Sequence, residues 1–450
     1  MLTRVLSEFR RGTYNSAAWG AGWVLIGQVG AMTAAVAGVR MLTDSMTPAA
    51  FGELALWLSV VSFAQGAVQS PVAQAQLRMF SVASDQGALG PYAAAAHKLG
   101  RDSALLTIAI CALAGILAPF LGGPRQLVAV LATCAFAVAA GEMGRRTSIS
   151  IAAQRRPLAA AAQAGHEWMR VLLAVALLRL LAPVPASALL AFSVSAVFWV
   201  VLQSRVMYRE LPALRGGAEA AGEQVAVWRG RLIAYAWPFA AWGVAAVLQG
   251  NVDRWVAAAR GTASDAGMVA IIAQLGVAPI TAIAAAVSQF VAPILFSRVG
   301  DLRNGDRIAS ARRLVVALVL GVLLVTALTV VLASALSDVA FRVLVAESFA
   351  PAAALWPLGI AIGGTFAASQ FASLVPMALN RPAALLPVKI GHAVFAVAGS
   401  TVGAALGGLR GVLWGALVSN CVAALWTFTI AWRVSEHALY ETRSGGETPR

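Results

Sequence analysis

Apolar stretches of about twenty residues alternate with short polar connections along the whole chain. They fall at approximately 16–39, 51–77, 103–121, 127–152, 158–182 and 186–207, and again at 232–258, 267–296, 314–336, 352–379, 383–406 and 411–432. A helix needs about 20 apolar residues to cross a hydrocarbon core, and the stretch 314–336 holds no charge at all. Within a bilayer the backbone must bond internally, which leaves helices or a closed barrel. Barrel strands alternate over about ten residues, and runs this long and uninterrupted exclude them. The pattern predicts an all-α polytopic membrane protein with about twelve transmembrane helices.

The punctuation agrees. Gly122-Gly123-Pro124, Pro183-Val184-Pro185, Arg381-Pro382 and Gly407-Gly408 all lie between predicted spans, where helix breakers belong. The longest break, 208–231, is polar and basic and divides the chain near its midpoint. The predicted organisation is therefore an amphipathic N-terminal segment (1–15), a six-helix bundle (16–207), a basic cytoplasmic linker (208–231), a second six-helix bundle (232–433) and a polar cytoplasmic tail (434–450). In the first segment Leu2, Val5, Leu6 and Phe9 share a helical face, as suits a membrane surface. The run that follows is too long for a cleaved signal sequence and reads as an anchor.

Composition narrows the class. Of 450 residues, 60% are hydrophobic and 12% charged, and the mean hydropathy is +0.79; a soluble domain carries about 25% charged residues. The net charge of +14 would suit nucleic acid, but the arginines sit in short connections between spans, so no nucleic-acid partner is expected. Most lie in alternate connections, including Arg155-Arg156, Arg209, Arg229, Arg231, Arg298, Arg307, Arg312 and Arg313. The positive-inside rule then places both termini in the cytoplasm. Cys111, Cys134 and Cys421 fall in apolar segments without metal-type spacing and are expected to be buried, inert thiols. No P-loop, HExxH or nucleophile elbow is present, so no catalytic residue, metal or cofactor is assigned. Without a Walker sequence, transport must run on a gradient or downhill.

Charged and amide residues inside the spans are the candidate chemistry, because each costs several kcal/mol if left unpaired in hydrocarbon. Gln249, Asn251, Asp253 and Arg254 form a polar strip on the seventh span. It reads either as part of a substrate or ion path or as a local Asp–Arg neutralisation. Arg170, half-way along the fifth span, has His166 and Glu167 one turn earlier; it faces either an i,i+3 partner or an anionic cargo. Lys389 and His392 are three apart in the eleventh span. His392 is a candidate for proton coupling, and Lys389 either lines a cavity or reaches back to the surface. Gln65 and Gln69 share a face of the second span and serve a hydrated cavity or helix–helix hydrogen bonds equally well. Glu142 with Arg145 and Arg146 has ordinary helix ion-pair spacing. Prolines at 71, 238, 279, 293, 357 and 376 remove backbone donors inside spans and permit bends.

The two halves also share an outline. Arg40 through Leu54 joins the first two spans by a polar turn closed by Gly52, and Asn251-Val252-Asp253-Arg254-Trp255 with Gly261 through Gly267 joins the seventh and eighth. These two stretches, with six spans in each half, resemble the polysaccharide and oligosaccharide flippases (Wzx-like) of the MOP superfamily, which also holds the MATE exporters and lipid II flippases. One departure is local: the family often has an aromatic residue shortly after the second glycine, and here Met268-Val269 follow. The resemblance implies two six-helix bundles of MOP/MATE-like fold that work by alternating access. Its implied cargo is a polyprenyl-diphosphate-linked oligosaccharide, moved from the inner to the outer leaflet of a bacterial plasma membrane for surface polysaccharide assembly. On that basis Arg40, Arg170, Arg254 and Lys389 are candidates for the diphosphate. Gln65, Gln69, Gln249 and Asn251 are candidate cavity groups, and Asp253 and His392 candidates for coupling to H+ or Na+. Implied partners are the lipid-linked oligosaccharide, membrane lipids and other polysaccharide-assembly proteins. Two alternatives stay open: a MATE-type cation-coupled exporter of small organic compounds, and a membrane-embedded glycan polymerase or ligase. The latter usually carries a large outer loop, which this chain lacks.

Overall fold

The computed structural model describes residues 15–117, 127–210, 212–214, 222–299 and 304–443. The predicted surface helix within 1–15 thus lies almost entirely outside the described residues, as do parts of the linker and tail. Twelve helices follow one another in the order expected from the apolar runs: α1 (Asn15–Thr43), α2 (Pro48–Asp85), α3 (Leu89–Leu117), α4 (Leu127–Ala152), α5 (Arg156–Leu180), α6 (Pro185–Glu210), α7 (Gly222–Arg260), α8 (Ala263–Phe296, continuing to Val299), α9 (Gly305–Leu344), α10 (Glu347–Ala378), α11 (386–406) and α12 (409–443). The last two form one helical stretch broken at Gly407 and Gly408, where Gly408 has φ +55°, a left-handed conformation that glycine adopts without strain. Ten stretches among the described residues are long and apolar enough to cross a membrane, the last of them spanning both α11 and α12. The helix missing from those ten, α5, has the length at 25 residues but carries Arg156, Glu167, Arg170 and Arg179. The chain is a multi-pass membrane protein of all-α fold.

The helices are apolar on their outward faces too. On α9, Leu320, Leu324, Leu328, Val331 and Leu332 are each about 60% exposed or more. A helix apolar all round belongs in lipid. Cys421 corrects the expectation of three buried thiols: it is exposed, while Cys111 is buried and Cys134 half-buried. An apolar segment in a membrane protein can face lipid instead of the protein interior, so hydropathy alone does not distinguish the two.

Packing divides the chain into two compact units, one of residues 1–46 with 57–247 and the other of residues 47–56 with 248–450. In the first, Phe80, Tyr92, Trp228 and Leu232 form a core, with edge-to-face rings at 6.1 Å (Phe80–Tyr92) and 5.9 Å (Tyr92–Trp228). In the second, α8 to α10 and α12 meet around Leu295, Ile308, Val315, Phe371 and Leu374.

Close approach in the second unit depends on the two glycines that close the matching turns. A Cβ at Gly52 would overlap the Ala263 carbonyl, and one at Gly267 would meet the Pro48 carbonyl oxygen at 2.5 Å. The pair lets two backbones touch, a common way of joining membrane helices. Position 267 is also stabilised from upstream, because Thr262 and Asp265 form a reciprocal capping box at the start of α8, satisfying two otherwise orphan donors.

Prolines leave a paired signature in the second and eighth helices. Each contains one π turn, Gln65–Gln69 in α2 and Ala273–Val277 in α8. In both, a proline stands two residues past the turn, Pro71 and Pro279. Lacking an N–H and crowding the carbonyl four residues back, proline disrupts the regular ladder. The turn widens, and the Ser70 and Ala278 amides bond five residues back, to the Gln65 and Ala273 carbonyls. The Leu275 carbonyl, which Pro279 cannot serve, accepts instead from the Trp356 indole N–H at 3.1 Å. Pi turns often mark functional sites.

Candidate functional site

In the first unit the candidate chemistry gathers on α5. Small residues let this helix lie close to α1: a Cβ at Gly27 would stand 3.0 Å from Ala160, and one at Gly30 would crowd Ala164. One face of α5 then carries His166, Glu167 and Arg170. Arg170 and Glu167, three residues apart, form an ion pair at 2.5 Å, and the guanidinium lies 5.2 Å above the Phe192 ring on α6. The Nε of Arg170 is buried and has no hydrogen-bond partner among the described residues. His166 is 4% exposed. Its Nδ1 is 2.9 Å from the Ser195 hydroxyl, and its ring stacks on Phe136.

The second-span glutamines differ from each other. Gln69 is buried and donates to Thr107 Oγ1 at 2.8 Å and to the Ala137 carbonyl at 3.1 Å; it ties α2 to α3 and α4. Gln65 is half-buried at the start of the π turn and makes no side-chain hydrogen bond among the described residues. Arg40 stays near the end of α1, paired with Asp44 at 3.0 Å, and both side chains are about 40% exposed. The structure places it in this unit, in a local pair apart from the α5 cluster.

In the second unit the polar strip of α7 meets α11. Gln249 Nε2 donates to the Lys389 carbonyl at 2.9 Å. One turn on, Asp253 accepts from the Ser400 hydroxyl at 2.5 Å, and Ser400 is fully buried. The spacing 249–253 is one helical turn on α7, so two successive turns contact a facing helix. Arg254 donates to Asn251 Oδ1 at 3.3 Å, and its Nε, like that of Arg170, is buried and unpartnered among the described residues. Lys389 is 7% exposed and His392 3%. Lys389 thus lies within the unit instead of reaching a surface, and His392 Nε2 has no hydrogen-bond partner among the described residues.

The structure groups the polar candidates differently from their order in the sequence. Gln249, Asp253, Lys389 and His392 come together on α7 and α11. Arg170 keeps to α5, and Arg40 to the end of α1. Ser400 was not singled out from sequence. A serine in an apolar helix commonly bonds its own backbone, so nothing local marks this one as the partner of a carboxylate. Among the described residues no cluster of His, Cys, Asp or Glu is arranged to hold a metal ion.

No family model matches the sequence, and no curated protein matches it significantly. Solved structures do match in fold. A mutant of the Vibrio cholerae MATE transporter VcmN is 16% identical, covering 95% of this chain and 97% of its own, with a TM-score of 0.62. The lipid II flippase MurJ in an inward closed conformation is 9% identical, covering 95% and 92%, at 0.63. An inward-facing multidrug resistance MATE family transporter of the MOP superfamily is 15% identical, covering 93% and 95%, at 0.58. The fold is therefore MATE- and MurJ-like over nearly the whole length, and these structures are of transporters and a flippase.

Proposed function

We propose that this protein flips a polyprenyl-diphosphate-linked oligosaccharide from the inner to the outer leaflet of a bacterial plasma membrane, for the assembly of surface polysaccharide. The observation supporting this is the pair of partly buried arginines, Arg170 and Arg254, each with a buried Nε donor that has no hydrogen-bond partner among the described residues. A guanidinium offers five donors and prefers planar, bidentate partners such as phosphate, so an anionic cargo would complete what each arginine lacks. Lys389 adds a buried cation. Gln65 and Gln69 in the first unit and Gln249 and Asn251 in the second are the proposed neutral hydrogen-bonding groups, and Arg40 contributes at the end of α1. Asp253 and His392 are the proposed coupling groups for H+ or Na+. The fold likeness and the basic connections support alternating access with both termini cytoplasmic. Membrane lipids and other polysaccharide-assembly proteins are the partners this role requires.

Asp253 favours a second reading. A part-buried carboxylate held by Ser400, in a fold shared with MATE transporters, suits cation-coupled export of small organic compounds. Reconstitution separates the two. Purified protein in liposomes would be followed for lectin accessibility of a polyprenyl-diphosphate oligosaccharide on each leaflet. Transfer that falls at least tenfold in the Arg170→Gln/Arg254→Gln variant supports the flippase. Efflux of organic cations from the same vesicles, with no lipid transfer under either ion gradient, supports the exporter.

A further inference from the structure

The first unit holds a second polar site that the proposed transport path does not use. A cavity of about 520 Å³ lies where α3 begins and where α4 and α6 end, lined by Gln76, Tyr92, Lys98, Arg145, Arg146 and Tyr208 with Glu142 and neighbouring apolar residues. Its charges do not cancel. Glu142 is the one lining carboxylate among the described residues, and it pairs with both Arg145 and Arg146; Lys98, exposed at the rim, makes no ion pair among them. Counting these four groups leaves two positive charges in excess.

The arginines are held in the wall instead of extending away from it. Their side chains are 12% and 15% exposed. Arg146 is fixed three ways: Nε donates to Glu142 at 2.7 Å, a terminal nitrogen donates to the Tyr208 hydroxyl at 3.0 Å, and the guanidinium lies 5.2 Å from the Tyr208 ring centre. Arg145 packs over Gly100, where any Cβ would collide with the guanidinium. Two anchored guanidiniums side by side, with donors to spare, make a preorganised receptor for a tetrahedral oxyanion. Deeper in the wall, the Gln76 amide is buried with its carbonyl oxygen unpartnered among the described residues, an acceptor for a hydroxyl or ammonium. Ala93, Ala96, Ile149 and Met207 give the remaining wall an apolar character.

We propose that this cavity binds the phosphate of an anionic lipid headgroup. Its placement supports a lipid source: the helix ends around it adjoin the basic connections that the positive-inside rule assigns to the anionic leaflet, and basic pockets between membrane helices on that side take such headgroups. Its size fits as well. A water occupies about 30 Å³ of liquid, so the cavity has room for a headgroup on the order of a dozen heavy atoms. The site is independent of the flippase proposal, and its test involves no transport.

The test is calorimetric titration of the full-length protein in neutral detergent with short-chain phosphatidylglycerol, short-chain phosphatidylcholine and inorganic pyrophosphate. Expected is saturable phosphatidylglycerol binding at least tenfold tighter than phosphatidylcholine, weakened about fivefold by Lys98→Gln and at least tenfold by Arg146→Gln. Lys98 is exposed, so its variant keeps the test valid if Arg146→Gln does not fold. Competition by pyrophosphate would identify the phosphate itself as the recognised group. Lipid binding without such competition would assign recognition to the headgroup in its lipid, and supports the site equally. Equal affinity for the two lipids, or wild-type affinity in Lys98→Gln and Lys98→Glu, would overturn the proposal.

Discussion

In the first unit the partly buried arginine and its carboxylate are three residues apart on one helix, Glu167 and Arg170. In the second, Asp253 meets a donor 147 residues away, on a different helix. Both arrangements hold a charge at depth, but they do so differently. A pair within one helix forms as soon as the helix does, and α6 then adds only the Phe192 ring beneath the guanidinium. A tie between α7 and α11 exists only when those helices are in register, so it reports on and helps to fix their packing. The first cluster is a charge carried by a helix; the second is a joint between helices.

The largest effect expected from breaking this contrast lies in the first unit. Glu167→Gln leaves Arg170 charged in apolar surroundings, a loss on the order of 3 kcal/mol for a broken buried pair, read as a lowered melting temperature in detergent. Replacing both partners, as Glu167→Leu/Arg170→Leu, is expected to restore most of the stability, because a buried ion pair is often no better than well-packed apolar residues. If Arg170 serves only structure, that double variant also keeps its transport rate. The flippase proposal requires it to lose transport while melting normally.

The joint in the second unit gives the next effect. Ser400→Ala removes the hydroxyl that Asp253 accepts from, costing about 1–3 kcal/mol for the unsatisfied group, while Ser400→Thr retains it. A cross-link between cysteines placed on α7 and α11 should then form more slowly in the alanine variant. Equal cross-linking rates would show that the hydrogen bond does not set the register. A comparable but smaller loss, about 1–2 kcal/mol, is expected for Trp356→Phe, which leaves the Leu275 carbonyl without its indole donor; hydrogen exchange confined to the π turn of α8 would detect it. Smallest is Arg40→Gln. Its partner Asp44 is as exposed as Arg40 itself, and exposed pairs contribute about 0–1 kcal/mol, so the melting temperature should barely move.

These contrasts also mark what could be known beforehand. Twelve apolar runs are legible because lipid imposes one length and one composition on every span, and the structure supplies a helix for each. The Glu167–Arg170 pair was legible too, since i,i+3 spacing on a helix is fixed by the helical repeat. Gly52 and Gly267 could be matched as equivalent positions, but their contact with each other could not be foreseen. Neither could the common offset of Pro71 and Pro279 from a π turn, because proline in a membrane helix is tolerated in several geometries.

The sequence by itself determined that this is a helical, multi-pass membrane protein and which polar residues fall within its apolar runs. Those properties follow from hydrocarbon thickness and from the cost of desolvating charge, both of which act on each segment separately. Tertiary structure alone decided that Ser400 serves Asp253, that Gln249 reaches the Lys389 carbonyl, that Cys421 is exposed, and that Arg145, Arg146 and Lys98 share a cavity. Each of these depends on the rotation and register of one helix against another. In a chain apolar on nearly every face, hydropathy favours no single rotation, so side-chain packing has to choose it.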